Sequence, residues 1–296
     1  MDYPKKVQVQ IINAFVADAT GGNPAGVVLN ADHLSDEEKL QIAAKVGLSE
    51  TAFVSKSSVA DFKLDFFTPN RQIAHCGHAT IATFSYLRQL GKIEGETTSK
   101  ETIDGTRLIR MVGNSAYMEQ LQPTYRQVED REDVVLKSMG IRMSDLNHRA
   151  SMLSVNTGNS FMLVPVKDKA ILKGIKPDLK LIQEVSDALD LIGYYVFTVA
   201  SDNDEIDAYA RMFGPRYGIA EEAATGMAAG PLAAYLYDCL NIKKTKFLIG
   251  QGQYMPAPSP SLLHAELLLK NGEISGMMVG GIGSLSTQLE FELQHR

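Results

Sequence analysis

From Cys76 to Leu87 the chain reads Cys-Gly-His-Ala-Thr-Ile-Ala-Thr-Phe-Ser-Tyr-Leu, with no charged side chain. A helix that is uncharged all round belongs in a protein interior, so the fold has to be built around this one. A strand pattern leads into it: Phe62, Leu64 and Phe66 alternate, and Pro69 breaks the run. Cys76-Gly77-His78 falls where the helix would start. Unpaired backbone N–H groups and the helix dipole there favour an anion.

The same grammar returns at residues 213 to 237. Phe67, Pro69, Ile73 and Ala74 match Phe213, Pro215, Ile219 and Ala220 at one constant spacing, and after a short insertion Gly77 and Ala79 match Gly226 and Ala228. Upstream of each helix, Gly22-Asn23 with Val27-Val28 resembles Gly158-Asn159 with Leu163-Val164. An internal repeat of this kind predicts two similar halves, each wrapped round one buried helix. The polar stretch from Gln120 to Asp133, with Pro123, reads as the linker. The halves are then 1–118 and 119–281, with a tail over 282–296 that returns to the first.

Local signals fill in the first half. Gly21-Gly22-Asn23-Pro24 reads as a turn between strands at 7–15 and 26–29. Ser35 with Glu38 forms a capping box, and Leu40, Ala43 and Ala44 supply an apolar stripe that ends at Gly47. Glu50 then stands at a helix-to-strand joint, inside Leu48-Ser-Glu-Thr-Ala-Phe-Val54. The polar residues from Glu94 to Glu101 read as a loop, followed by two strands around Gly113-Asn114. In the second helix, Pro231 should cost about 3 kcal/mol unless it lies in the first turn or a kink.

Composition excludes several classes of function. The 296 residues carry 29 basic and 35 acidic side chains, a net charge of −6, which argues against nucleic acid as a partner. Two cysteines, Cys76 and Cys239, without paired spacing, exclude a disulfide framework and a cysteine zinc cage. The start, Met-Asp-Tyr-Pro-Lys-Lys, lacks the apolar core of a signal peptide, and no run approaches the roughly 20 apolar residues that span a bilayer. The expectation is a cytoplasmic protein with no membrane partner. Gly280-Gly281-Ile282-Gly283 is a weak dinucleotide-like string with no helix or downstream acid to complete it, so a nicotinamide cofactor is rejected.

Leu48-Ser-Glu-Thr-Ala-Phe-Val54, Phe67-Thr-Pro69, Cys76-Gly-His-Ala-Thr80, Arg211-Met-Phe-Gly-Pro215 and Thr225-Gly226 resemble, in order and spacing, the phenazine-biosynthesis PhzF-like family. The resemblance covers nearly the whole chain. It implies an α+β fold similar to diaminopimelate epimerase, with two pseudo-symmetric domains, each a β-sheet or barrel around a central helix, and the active site between them. It also implies a homodimer and isomerisation without a cofactor or metal, as in trans-2,3-dihydro-3-hydroxyanthranilate isomerase. The Ser-Glu-Thr glutamate, here Glu50, is implied as the proton carrier, and the Gly-His-Ala histidine, here His78, as its partner. The acid three residues before the second Thr-Gly is here Glu222, where aspartate is usual; Met227 stands where serine is usual.

The chemistry is coherent without the family name. Moving a proton next to a carbonyl needs a base shielded from water and donors for the developing charge. Glu50 supplies a base, with His78 and Glu222 as further catalytic candidates. Cys76, Gly77, Thr225, Gly226 and Met227 are candidates for binding a small carboxylic acid. Two other readings stay open: a Cys76-dependent dehydratase or epimerase of an amino or imino acid, because a thiol at a helix N-terminus is activated, and a non-catalytic small-molecule binder. Thr225 at the matching place excludes a two-thiol racemase.

Overall fold

A computed structural model describes residues 5–18, 20–201 and 203–293. Residues 1–4, where the absence of a signal peptide was read, lie outside the described residues, as do 294–296 of the tail. The chain divides into two units, Met1–Met118 with Gly280–Arg296, and Glu119–Val279. In the first unit come β1 (Lys5–Ala14), β2 (Asn23–Val28), α1 (Asp36–Val46), β3 (Thr51–Ser55), β4 (Phe62–Phe67), β5 (Gln72–Ile73), α2 (Gly77–Gln89), β6 (Thr97–Thr102), β7 (Gly105–Val112) and β8 (Ser115–Leu121). The chain continues through β9 (Thr124–Gln127), α3 (Glu132–Met139), β10 (Leu153–Asn156), β11 (Ser160–Pro165), α4 (Lys169–Gly174), α5 (Leu179–Leu189), β12 (Gly193–Val199) and β13 (Ala208–Gly214). It ends with β14 (Ile219–Glu222), α6 (Gly226–Asp238), β15 (Lys246–Gln251), β16 (Ser261–Lys270) and β17 (Glu273–Leu293). The architecture is α+β and dominated by strands.

The uncharged helix is α2, and every residue from His78 to Ser85 is buried. It packs on β1, β2 and β3. Around it, the last part of β17 pairs with β1, β1 with β2, β2 in parallel with β3, β3 with β4, β4 in parallel with β6, and β6 with β7. β7 pairs with β8 and β8 with β17, which closes the run. Leading into α1, Ser35 accepts from Glu38 N at 3.3 Å while Glu38 accepts from Ser35 N at 2.8 Å, the reciprocal capping box. The buried face of α1 is Lys39, Ile42 and Ala43, and Ala44 is exposed. The stripe read from apolarity alone is rotated because Lys39 buries its stem and pairs with Asp65 at 2.6 Å.

The second unit repeats this order pair for pair. β10·β11 is antiparallel, β11·β12 parallel, β12·β13 and β13·β14 antiparallel, β13·β15 parallel and β15·β16 antiparallel. These match β1·β2, β2·β3, β3·β4, β4·β5, β4·β6 and β6·β7 in sign. The central helices α2 and α6 have 13 residues each. Pro231 lies inside α6 and is buried; it has no N–H to offer the Met227 carbonyl one turn back. β16 and β17 are joined by Asn271 and Gly272 at φ 54° and 84°, the two-residue left-handed turn that fits the twist of a hairpin.

Three local expectations are corrected. The polar stretch 94–101 is not a loop: it contains most of β6, whose Thr98, Lys100 and Thr102 point inward. The stretch 120–133 holds β9, which pairs with β10. Asn23 and Pro24 lie within β2 opposite Ala14 and Asn13, and Gly21 and Gly22, at φ 67° and 87°, are the last residues of the connection before it. Gly280-Gly281-Ile282-Gly283 is strand; a Cβ on Gly280 would stand 2.1 Å from the Ala116 carbonyl oxygen. Close strand approach, not a ligand, explains that glycine.

Candidate functional site

In the first unit, Glu50 is the last residue before β3, and its carbonyl accepts from Gly26 N at 3.1 Å, tying it to β2. Cys76 caps α2 in an extended conformation, φ −145° and ψ 122°. This brings three buried or half-buried side chains together. Glu50 Oε2 faces His78 Nε2 at 3.4 Å, and Cys76 Sγ faces His78 Nδ1 at 3.6 Å. Side-chain exposure is 16% for Glu50 and 6% for His78, so water has little access to either.

Carboxylate, thiol and imidazole are metal-ligating groups, and their ligand atoms lie within 4.8 Å of one another. Thiol and carboxylate face different nitrogens of one ring, yet all three groups lie close enough to form a compact cluster. An imidazole so placed can pass a proton between its two nitrogens.

Behind the helix start is a group that the sequence reading missed. Lys100, on β6, is fully buried. Its Nζ donates to Thr80 Oγ1 at 2.8 Å, lies 3.4 Å from His75 Nδ1 and sits 5.2 Å from the centre of the Phe66 ring. Thr80 in turn donates to the Cys76 carbonyl at 2.6 Å. Burial lowers the Lys100 ammonium to about 8. Burial, and then the charge of Lys100, lowers His75 to about 4. The available signal was the alternation of Thr98, Lys100 and Thr102, masked by the polarity of the whole stretch.

In the second unit the start of α6 is a hydrogen-bond cluster. Thr225 caps the helix and donates to Glu222 Oε2 at 2.5 Å. Gln251 on β15 holds both: its Nε2 donates to Thr225 Oγ1 at 3.1 Å and to the Glu222 carbonyl at 2.8 Å, and its Oε1 accepts from Thr225 N at 3.1 Å. Tyr195 completes the cluster with a 2.9 Å bond to Gln251 Oε1. Burial, and then the Glu222 charge, pushes that phenol well above its usual range. Gly226 and Met227 are half-buried at the helix start. Asn159 Nδ2 lies 3.5 Å from Met227 Sδ, and Gln120 donates to the Gly226 carbonyl at 2.9 Å. Gln251, Tyr195 and Gln120 carry no local motif that would have singled them out, and Asn159 is marked in the sequence only as part of the repeat. The neighbouring Glu221 is occupied elsewhere, in a two-bond pair with Arg211 at 2.8 and 2.9 Å.

Strand register shows what each half places at the same point. Thr51 pairs with Gly26 and Phe67, as Tyr194 pairs with Met162 and Phe213. The residue before is Glu50 in the first half and Gly193 in the second. A Cβ on Gly193 would stand 2.1 Å from the Phe213 carbonyl oxygen, so no side chain fits there. Likewise Phe62 pairs with Lys100 as Ala208 pairs with Ile249. Counting from the matched helix starts, His78 corresponds to Met227 and Thr80 to Ala229. Each half supplies a helix start, and the first alone supplies an acid and imidazole at these points.

A family model described as phenazine biosynthesis-like protein, PhzC-PhzF, matches residues 12–285. The chain belongs to this family. It is 34% identical over 262 residues to an uncharacterized isomerase of Clostridium acetobutylicum, covering 84% of this chain and 86% of that protein. The crystal structure of a PhzF family phenazine biosynthesis protein from Bacillus anthracis superposes with a TM-score of 0.89 at 26% identity, covering 98% of this chain and 100% of that one. A hydroxyproline epimerase from Agrobacterium vitis shares the fold alone, with a TM-score of 0.57 at 13% identity over 99% and 94% of the two chains. This PhzF-family chain is therefore an isomerase by class, with an epimerase-like fold. No helix among its described residues is long and apolar enough to cross a membrane.

Proposed function

We propose that the protein isomerises a small carboxylic acid without a cofactor, with Glu50 carrying the proton. The observation behind this is the cluster of Glu50, His78 and Cys76 at the start of a buried helix, built in one half only. Glu50 Oε2 takes a proton from a carbon next to a conjugated carboxyl group, and the C–H electron pair moves into the conjugated system. The resulting carboxylic acid of Glu50 returns the proton to another carbon, so the substrate gains and loses nothing. His78 holds the Glu50 carboxylate in place, and the N–H groups of Gly77 and His78 hold the substrate anion.

Incubation with trans-2,3-dihydro-3-hydroxyanthranilate and other small unsaturated acids in D2O, followed by NMR, tests this reading. Isomerisation with deuterium uptake in the wild type, absent in Glu50→Gln, is the expected result. Full turnover in Glu50→Gln sinks the role given to that residue. Ligand-induced thermal stabilisation with no exchange would instead mark a binding protein. A second reading has its own observation, the 3.6 Å contact of the Cys76 thiol with His78. A Cys76-dependent dehydratase would lose its activity in Cys76→Ser and keep it in Glu50→Gln.

A further inference from the structure

The reaction above leaves Lys100 without a task. It has no exposed surface, and among the described residues its Nζ bonds to no carboxylate; its partners are a hydroxyl, an imidazole and an aromatic face. Burying an ammonium in this way is costly. The fold does not require it. At the matching points of the second half the strand residue is Ile249 and the helix residue Ala229, both fully buried. The same junction therefore packs in this very chain with an apolar pair. The first half keeps Lys100 and Thr80 where Glu50 and His78 are also present.

The hydrogen bonds show where that charge is delivered. Lys100 donates to Thr80, and Thr80 donates to the carbonyl of Cys76, which also accepts from Thr80 N at 3.3 Å. That carbonyl belongs to the peptide whose N–H is Gly77, the first residue of α2. Hydrogen bonds in a chain polarise one another, so a cation at the carbonyl end makes the N–H at the other end a stronger donor. We propose that Lys100 is a positioning residue for the anion-holding start of α2: through Thr80 it polarises the Cys76–Gly77 peptide and strengthens the hold on a negative charge in front of the helix. In the reaction proposed above that charge is the substrate carboxylate or enolate, and to this extent the inference rests on that reading.

Other charges bear on the same point. Lys100 meets His75 before α2, Cys76 and Thr80 at its start, and, at longer range, Asp104 and Arg107 from the turn between β6 and β7 and from β7. Cys76 meets His78 and, through it, Glu50. His75 held neutral accepts from the ammonium without adding charge of its own.

The test grafts the second half's pair into the first, Lys100→Ile with Thr80→Ala. Thiolate absorbance at about 240 nm, titrated against pH and referenced to the same protein carrying Cys76→Ser, reads the potential at the helix start without any substrate. The expected result is a rise of about one pH unit or more in the Cys76 midpoint, with Thr80→Ala alone moving it part of the way. On an acid that exchanges deuterium, kcat should fall about tenfold to a hundredfold in the double variant. An unchanged midpoint, or a wild-type kcat, in a double variant whose circular dichroism and melting match the wild type overturns the proposal. Should the graft fail to fold, Lys100→Met with Thr80 retained carries the same two readouts. A raised midpoint with no acid turned over keeps the role of Lys100 and rejects the isomerase reading; exchange in the wild type with an unmoved midpoint does the reverse.

Discussion

The two helix starts are built on one plan and filled with opposite chemistry. At α2 the surrounding positions hold Glu50, His78, Cys76, Thr80 and Lys100; at α6 the matching positions hold Gly193, Met227, Thr225, Ala229 and Ile249. One start is set for proton movement by acid, imidazole and thiol, the other holds Thr225, Gln251, Tyr195 and Glu222 in one hydrogen-bond cluster. A duplicated scaffold keeps its strand signs and helix length because the core fixes them. Side chains that face the helix start are free to diverge. The deeper strand positions tell a related story: Asp65 and Arg211 occupy matching places, each 4% exposed, and pair with Lys39 and Glu221. Each half buries an ion pair at this strand position, with opposite charges on the strand and partners drawn from α1 and β14.

The largest effect expected from breaking this comparison is at Glu50. Glu50→Gln should lower turnover by about 10²–10⁴-fold, the usual contribution of general acid–base catalysis, with melting little changed; deuterium exchange by NMR measures it. A loss of the same size in Glu222→Gln would show that the two starts are chemically equal after all. Next come the buried ion pairs. Arg211→Met leaves the Glu221 carboxylate buried without its partner and should cost about 3–5 kcal/mol in urea unfolding, and Arg211→Met with Glu221→Leu should recover most of it. Asp65→Leu should behave alike in the first half, through Lys39.

Lys100 gives a smaller effect with a distinctive pH dependence. Its pKa is about 8 in the folded protein against 10.5 for an ordinary lysine. The unfolded chain therefore binds more protons between those values, and stability rises with pH across that window. Below about pH 8 the whole penalty applies, about 3 kcal/mol by that difference. Lys100→Met should be as stable as the wild type or more so at pH 7, and should lack the rise between pH 8 and 10.5 in urea midpoints. His75 acts at the other end: held near 4 against 6.5, its neutral form contributes stability that is full above pH 6.5 and lost as pH falls toward 4. His75→Asn should flatten that acid limb. The smallest change expected is Met227→Ser, which alters a half-buried surface at the second helix start and should shift KM by about tenfold, the low end of the roughly 1–3 kcal/mol that a single pocket contact is worth.

Much of the scaffold could be read without coordinates. The uncharged run from Cys76 to Leu87 had to be a buried helix, the Ser35–Glu38 spacing had to open one, and matching Phe67 with Phe213 announced two halves. Glu50 and His78 were singled out by resemblance, and they stand 3.4 Å apart. Lys100 escaped because a strand of threonines with a serine, a lysine and a glutamate looks solvated, and periodicity is faint when both faces are polar. Gln251 escaped because glutamine in a strand signals nothing until its amide is seen between Thr225 and Glu222.

Local pattern therefore determined the types of the strongly patterned elements, the duplication and the residues whose chemistry is visible in isolation, since these depend on spacing along the chain. Register was decided only in three dimensions. That Glu50 is answered by Gly193, and Lys100 with Thr80 by Ile249 with Ala229, follows from which strand residues pair across the sheet. A hydrogen-bonded partner many residues away leaves no mark on its neighbours in sequence, and a slip of one residue would turn every one of these side chains to the other face.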